Sequence, residues 1–299
     1  MIERRAPAKL NLGLEILRRR ADGYHEIETI FVPLRLADHV ALGRAVAGTG
    51  IRLVVRGAAE LPADRSNLVW RAAELACAAL GAPADLCIEL EKRVPIAAGL
   101  GGGSSDAAAT VLALETLFAA ALPGNRRREI ALELGADVPF FLDPRPALGR
   151  GVGEQLEPLS GVPEMHWLLV AFPFPISTAQ AYAEAARELT LPRSPTSIGA
   201  LLGASGLLAS PRNDLEASAV RRHPEIQEAR RALERSGALA TGMSGSGPTV
   251  FGRFADEQAA RQAADRVEVP AGARTIATSS PGSASAESKE ESGWGVAKR

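Results

Sequence analysis

Between Lys92 and Glu115 the chain reads KRVPIAAGLGGGSSDAAATVLALE. Glycines at 99, 101, 102 and 103 run into Ser104, Ser105 and Asp106, and then into an alanine-rich stretch carrying Val111, Leu112, Leu114 and Leu117. Glycine permits positive φ and lets a ligand approach the backbone closely. A glycine loop that opens a helix also presents unpaired N–H groups at the positive end of the helix dipole, an arrangement suited to phosphate. Ser104 and Ser105 can cap the first turn, touch a phosphate or reach a metal ion. A Walker loop is excluded, because Gly103 is followed directly by Ser104 rather than by Lys and then Ser or Thr. The strict G-x-G-x-x-G pattern counted from Gly99 fails as well, since its sixth position is Ser104. A merely flexible turn is disfavoured, because so many glycines cost stability without a use.

Other residues able to do chemistry lie far from this loop in sequence. In Lys9–Leu17, Leu10, Leu12, Leu14 and Ile16 alternate with Lys9, Asn11, Gly13 and Glu15, which predicts a half-buried strand. On pattern alone, Lys9 and Asn11 suit either a solvated strand face or a functional site. Asp137, in GADVPFF, is an acid among apolar residues. It suits either a cap for a short helix opening at Val138–Pro139 or a general base. Tyr24 and His25 follow the Asp22–Gly23 turn and read as surface residues, or as a stacking face and a hydrogen-bonding edge for a flat ligand. Asn67 can cap the helix it precedes or meet a ligand, and Lys92 is either an ordinary strand-end lysine or a neighbour of the glycine loop. A second glycine-rich turn, Gly242, Ser244, Gly245, Ser246 and Gly247, lies in ATGMSGSGPTVFG.

The elements that must position these groups are mixed. IETIFVPL, DHVALG and IRLVVRG read as strands, so the N-terminal part is β-rich. A helix is predicted from Asn67 to Leu80, stopped by Gly81, and LCIELEK is a strand leading into the glycine loop. Helices follow over 104–117 and 126–134. Further on, HWLLVAFP, PTVFGRF and ARTIATS read as strands, and HPEIQEARRALERSG and DEQAARQAADRV as helices. The loop-rich stretch Gly151–Pro163 divides the chain into domains 1–153 and 154–278. Residues 279–299, small and polar, read as a disordered tail.

Composition bounds the rest. The 299 residues carry a net charge of -1, which argues against a nucleic-acid partner. Cys77 and Cys87 are expected as reduced core thiols, and His25, His39, His166 and His223 form no zinc spacing with them. MIERRAPAKL has no apolar segment of a secretory signal, and no apolar run approaches the ~20 residues that span a bilayer. A cytoplasmic chain without a membrane partner is expected, with monomer and homodimer both open.

The glycine loop, PIAAGLGGGSSDAAA (Pro95–Ala109), resembles the second motif of the GHMP kinases, P-x-x-x-G-L-G-S-S-A-A, in an expanded form. APAKLNLGLEILRRRADGYHEIET, LGADVPFFL and ATGMSGSGPTVFG resemble that family's N-terminal signature, catalytic-aspartate segment and third motif. The likeness runs in order from about residue 5 to residue 253. It implies a two-domain α+β fold, with an N-terminal half like ribosomal protein S5 domain 2 and a ferredoxin-like C-terminal half. It also implies phosphoryl transfer from ATP, with Mg²⁺, to the 2-hydroxyl of a methylerythritol unit whose cytidine diphosphate group serves as a handle. By the same resemblance Lys9 and Asp137 are catalytic. ATP would meet Pro95, Ile96, Ala97, Ala98, Gly99, Leu100, Gly101, Gly102, Gly103, Ser104 and Ser105, with Asn67 and Lys92 near the nucleotide. The acceptor would meet Asn11, Tyr24, His25, Thr178, Tyr182, Gly242, Ser244 and Gly245, with Tyr24 and Tyr182 sandwiching the cytosine.

Two points depart from the family pattern. Asp106 stands where many relatives have Asn, and an acid beside a triphosphate must turn away or face a cation. The glutamate with which many GHMP kinases hold Mg²⁺ has no counterpart that can be placed, which leaves the metal ligands open beyond Ser104 or Ser105. A homoserine or mevalonate kinase has no use for the cytidine loop DGYHEIET. A nucleotide binder without catalysis is disfavoured by the presence of both Lys9 and Asp137, and a Rossmann oxidoreductase by the failed fingerprint.

Overall fold

The computed structural model describes residues 1–189, 192 and 212–283. Its first sheet holds β1 (Ile2–Arg19), β2 (His25–Arg44), β3 (Ile51–Arg56), β4 (Leu86–Glu91), β5 (Ala147–Arg150) and β6 (Gln155–Pro158) in the order β3-β4-β2-β5-β6, with β1 paired to β2. β3 and β4 are parallel and are joined by α1 (Leu68–Leu80); the other pairs are antiparallel. α1 begins and ends as its sequence predicts. The Asn67 side chain accepts from Val69 N, and Gly81 takes the left-handed C-cap conformation at φ 62°.

One face of this sheet is covered by α1, α2 (Gly102–Phe118), α3 (Gly124–Leu134) and α4 (Val138–Phe141). Val40, Leu42 and Ile88 pack there against Val69, Ala76, Val111 and Leu114. The other face, with Leu10, Leu12, Ile30 and Val32, packs against Trp167, Leu169 and Phe251 of a second sheet. That sheet comprises β7 (Met165–Ala171), β8 (Ala240–Met243), β9 (Val250–Phe254) and β10 (Arg274–Ser280), ordered β10-β7-β9-β8. Its far face, including Leu168 and Val170, is covered by residues of α5 (Thr178–Glu188), α6 (Glu216–Arg222), α7 (Glu225–Arg235) and α8 (Glu257–Arg266). Strand–helix–strand–strand–helix–strand with this spatial order is the expected ferredoxin-like half. Among the described residues no helix is long and apolar enough to cross a membrane.

Several expectations are corrected. IETIFVPL and DHVALG are parts of the single long strand β2. β1 is buried on both faces from Ala6 to Leu17, because its polar face lies beneath the functional cleft instead of facing solvent. β6 still belongs to the first sheet, so the sheets change between Pro158 and Met165, later than a division at 153. Cys77 is buried but Cys87 is exposed. β4 alternates strictly, with Leu86, Ile88 and Leu90 inward and Cys87 on the outer face. The expected tail starts too early. Ser279 and Ser280 complete β10, Trp167 Nε1 donates to Ser280 Oγ at 3.1 Å, and Ser283 N donates to Val162 O at 2.8 Å. The rest of that tail, 284–299, lies outside the described residues.

Candidate active site

A cleft of about 1210 Å³ is lined by the polar face of β1, the glycine loop, the start of α4, the α5 helix and the second glycine turn. The glycine loop owes its path to left-handed residues at Ala97 (φ 50°), Gly99 (φ 74°) and Gly101 (φ 70°). Ala98 and Leu100 between them are buried in the core and anchor the loop. Gly101 is the N-cap of α2 and offers no side-chain bond, so the first amides of the helix keep no cap of their own. Ala97, Gly99, Gly101 and Ser104 line the cleft. Ser105 is instead buried, and its hydroxyl has no partner. The alternation of one serine out and one in was not visible in the pair Ser-Ser.

The loop is clasped from both sides. Lys9 N donates to Leu100 O at 2.9 Å, and Ser244 Oγ donates to Gly99 O at 2.9 Å. A Cβ on Gly99 would stand 2.3 Å from Ser244 O and 2.9 Å from Gly247 O, so the two glycine turns meet with no room for a side chain. Ser244 lies behind the loop and Gly242 is buried in β8; of the second turn, Gly245 and Ser246 reach the cleft.

The reactive groups converge on the cleft floor. The buried Lys9 ammonium donates to Asn11 Oδ1 and lies 3.4 Å from Asp137 Oδ2. The Asn11 amide is oriented by its bond to Thr29 Oγ1 (3.0 Å), and that hydroxyl donates on to Gly13 O (2.6 Å). Asn11 therefore turns its oxygen to Lys9. Asp137 occupies the N-cap position of α4 but makes no cap bond. With the helix anchored by buried Phe140 and Phe141, the carboxylate is free to face the cleft at 34% side-chain exposure. Capping, one of the two readings of this residue, is not realised.

At the other end of the cleft the His25 ring stacks on Tyr182, with centroids 5.5 Å apart and planes at 14°. Burial, and then the Arg19 charge, push the imidazole below its ordinary range, and its buried Nε2 has no partner. The Tyr182 hydroxyl is raised by burial and by Asp137. Tyr24 is 64% exposed and lines the same cleft as Tyr182, whose ring contact is with His25. Thr178 Oγ1 lies 2.9 Å from Ser246 Oγ and ties α5 to the second glycine turn. Arg19 and Arg187 also line the cleft; neither stood out in the sequence, where arginines are frequent.

Two expected nucleotide neighbours are employed elsewhere. The Asn67 side chain is spent on its cap and on Pro62 O (2.8 Å). Lys92 is buried, not an exposed strand-end group, and its ammonium joins Asp38 to Asp106 (2.7 Å for the latter). Asp38 also accepts from Arg93 N and Val94 N. Asp106 is thus turned away from the cleft onto a cation, and its burial raises the carboxyl to about 8 against the pull of Lys92. Among the described residues no three His, Cys, Asp or Glu side chains gather as a metal site.

Comparison with known proteins finds relatives over most of the chain. The GHMP kinases N terminal domain matches residues 67–143, and the GHMP kinases C terminal family matches residues 183–270. A protein of Geobacter sulfurreducens named 4-diphosphocytidyl-2-C-methyl-D-erythritol kinase is 42% identical over 268 residues, covering 87% of this chain and 92% of that one. Its namesake from Pelotomaculum thermopropionicum is 43% identical over 274 residues, with the same coverage of 87% and 92%. A crystal structure of 4-(cytidine 5'-diphospho)-2C-methyl-D-erythritol kinase matches with a TM-score of 0.79 and 40% identity, over 94% of this chain and 100% of that one. The homoserine kinase of Cytophaga hutchinsonii shares the fold at a TM-score of 0.70 and 21% identity, over 93% of this chain and 94% of its own.

Proposed function

The chain belongs to the GHMP kinase family, and from that premise we propose that it transfers the terminal phosphoryl group of ATP to the 2-hydroxyl of 4-diphosphocytidyl-2-C-methyl-D-erythritol, in non-mevalonate isoprenoid precursor synthesis. One observation carries the reading: the buried Lys9 ammonium bridges Asn11 and Asp137 on the floor of the cleft that the glycine loop also lines.

Phosphoryl transfer needs little covalent help from a protein; it needs in-line positioning and compensation of charge. In this reading the free amides at the start of α2 hold the triphosphate, and Ser104 adds a hydroxyl. Asp137 accepts the proton of the attacking hydroxyl while the new P–O bond forms and ADP leaves. The Lys9 ammonium pairs with the carboxylate and meets the charge on the transferred group. His25 and Tyr182 form the nucleobase end, where a flat ring can join the stack and the unpartnered Nε2 can take a hydrogen bond. Mg²⁺ fits the donor set as an ion carried mainly by phosphate and water oxygens, since it needs only about one or two protein oxygens. Ser104, which lines the cleft, would hold it there, and it would supply neutralisation of phosphate charge.

The test is ADP release by the purified protein with 4-diphosphocytidyl-2-C-methyl-D-erythritol, mevalonate and homoserine offered in parallel. Turnover is expected with the cytidine compound alone. Equal or greater turnover with either of the other two acceptors would overturn the proposal.

A further inference from the structure

Asn213 lies outside every motif considered so far, yet it is 8% exposed and its carboxamide is fully engaged. Nδ2 donates to Met243 O at 2.9 Å and to Gly245 O at 2.7 Å, and Oδ1 accepts from Leu215 N at 2.9 Å. Its neighbours bind β1. Leu14 N donates to Arg212 O at 2.8 Å, Asp214 N donates to Leu14 O at 2.9 Å, and Ile16 N donates to an Asp214 carboxylate oxygen at 2.9 Å. Residues 212–214 therefore join the strand that carries Lys9 and Asn11 to the second glycine turn.

The peptide held by Asn213 has a particular position. In a trans peptide the C=O and the following N–H point in opposite directions. Pinning Gly245 O to Asn213 thus directs Ser246 N–H away from Asn213, and Gly245 and Ser246 both line the cleft. Among the described residues neither the Gly245 nor the Ser246 amide has a hydrogen-bond acceptor, whereas Ser244 N donates to Thr249 O and Gly247 N to Ser244 O, each at 2.9 Å. Gly245 is left-handed at φ 57°, and successive amides about such a residue form an anion-binding concavity. A Cβ on Gly245 would lie 3.0 Å from Asn11 Oδ1 and 3.6 Å from Lys9 Nζ, and the same turn touches the glycine loop at Gly99. The turn that carries these amides therefore lies against both the donor loop and the Lys9–Asn11 pair.

We propose that Asn213 is a positioning residue for the phosphoryl transfer: by holding back the Gly245 carbonyl, it presents the Ser246 amide, next to that of Gly245, to the oxygens of the group in flight. This rests on the kinase reading of the cleft. The amides serve the transferred group more than either ground-state substrate, so their misalignment lowers kcat and leaves the KM values nearly unchanged.

Asn213→Asp is the same size and keeps the bond from Leu215 N, but a carboxylate cannot donate to two carbonyls. Its kcat is expected to fall about tenfold or more, with KM for ATP and for the cytidine acceptor within about threefold of wild type. Asn213→Ala should show the same split. A clasp with a purely structural role would lower the melting temperature and leave kcat of the folded enzyme intact. Wild-type kcat in a folded variant overturns the proposal, as does a kcat loss accompanied by equal losses of affinity for both substrates. Should neither variant fold, amide NMR of the wild-type protein decides. Adding MgADP, aluminium fluoride and the cytidine acceptor should shift the Gly245 and Ser246 resonances, and unmoved resonances overturn the inference. A wild-type protein without turnover of that acceptor sinks the proposed function itself, and this inference with it.

Discussion

Gly99→Ala separates a loop shaped by contact from one that is merely mobile. Two costs can be worked out. Gly99 is left-handed at φ 74°, and placing an alanine there costs about 1–2 kcal/mol. The new methyl would meet Ser244 O at 2.3 Å and Gly247 O at 2.9 Å, both main-chain atoms that no rotamer can move. Overpacking of this kind adds about 1–3 kcal/mol. The sum is about 2–5 kcal/mol, and at about 2–4 °C per kcal/mol the melting temperature should drop by about 4–20 °C. Gly103→Ala is the matched control. A methyl at that position meets only Leu68 Cδ1, at 3.5 Å, and lies in helical backbone. Alanine is favoured there by about 0.5–1 kcal/mol, so the control should melt level with wild type or slightly above it. Thermal unfolding of the three proteins under one buffer reads the difference. A Gly99→Ala protein that melts within about 2 °C of wild type would show that the two glycine turns are not held together as described.

Two further outcomes follow from the site. Asp137→Asn should lower kcat by about 10²-fold or more at saturating ATP, the usual scale for loss of a general base, and unchanged turnover would remove that role. The third prediction concerns pH. Burial raises the Asp106 carboxyl from an ordinary 3.8 to about 8, so the folded chain holds this proton more tightly than the unfolded chain does. The resulting stability is complete below the unfolded value and is lost as pH rises through the folded one. Asp106→Asn removes that decline, and its melting temperature should gain on wild type steadily from about pH 5 to about pH 8. Parallel melting curves across that range would refute the assignment.

The sequence by itself determined whatever depends on local spacing. Asn67 and Gly81 bound α1 as read, because a cap is a contact between near neighbours. The glycine loop runs into α2 as read, because left-handed turns and helix starts are short-range matters. The alternation of Lys9 and Asn11 with leucines put both on one face, and that face proved to be the floor of the cleft. Alternation could not say whether the polar face met water or a second lobe, so a half-buried strand was expected where both faces are covered.

Tertiary structure alone decided the pairings between residues far apart in the chain. Lys92 meets Asp38 across 54 positions, and it disappears beneath the loop it was expected to flank. Asn11 N reaches Ser244 Oγ across 233 positions, and Tyr182 stacks on His25. Asn213 carries no signal in the sequence, since an asparagine three residues before a helix reads as an ordinary turn former. Its use depends on which carbonyls the second sheet brings beside it. Local spacing determines which groups a segment offers; only the packing of the two sheets determines which of those groups meet.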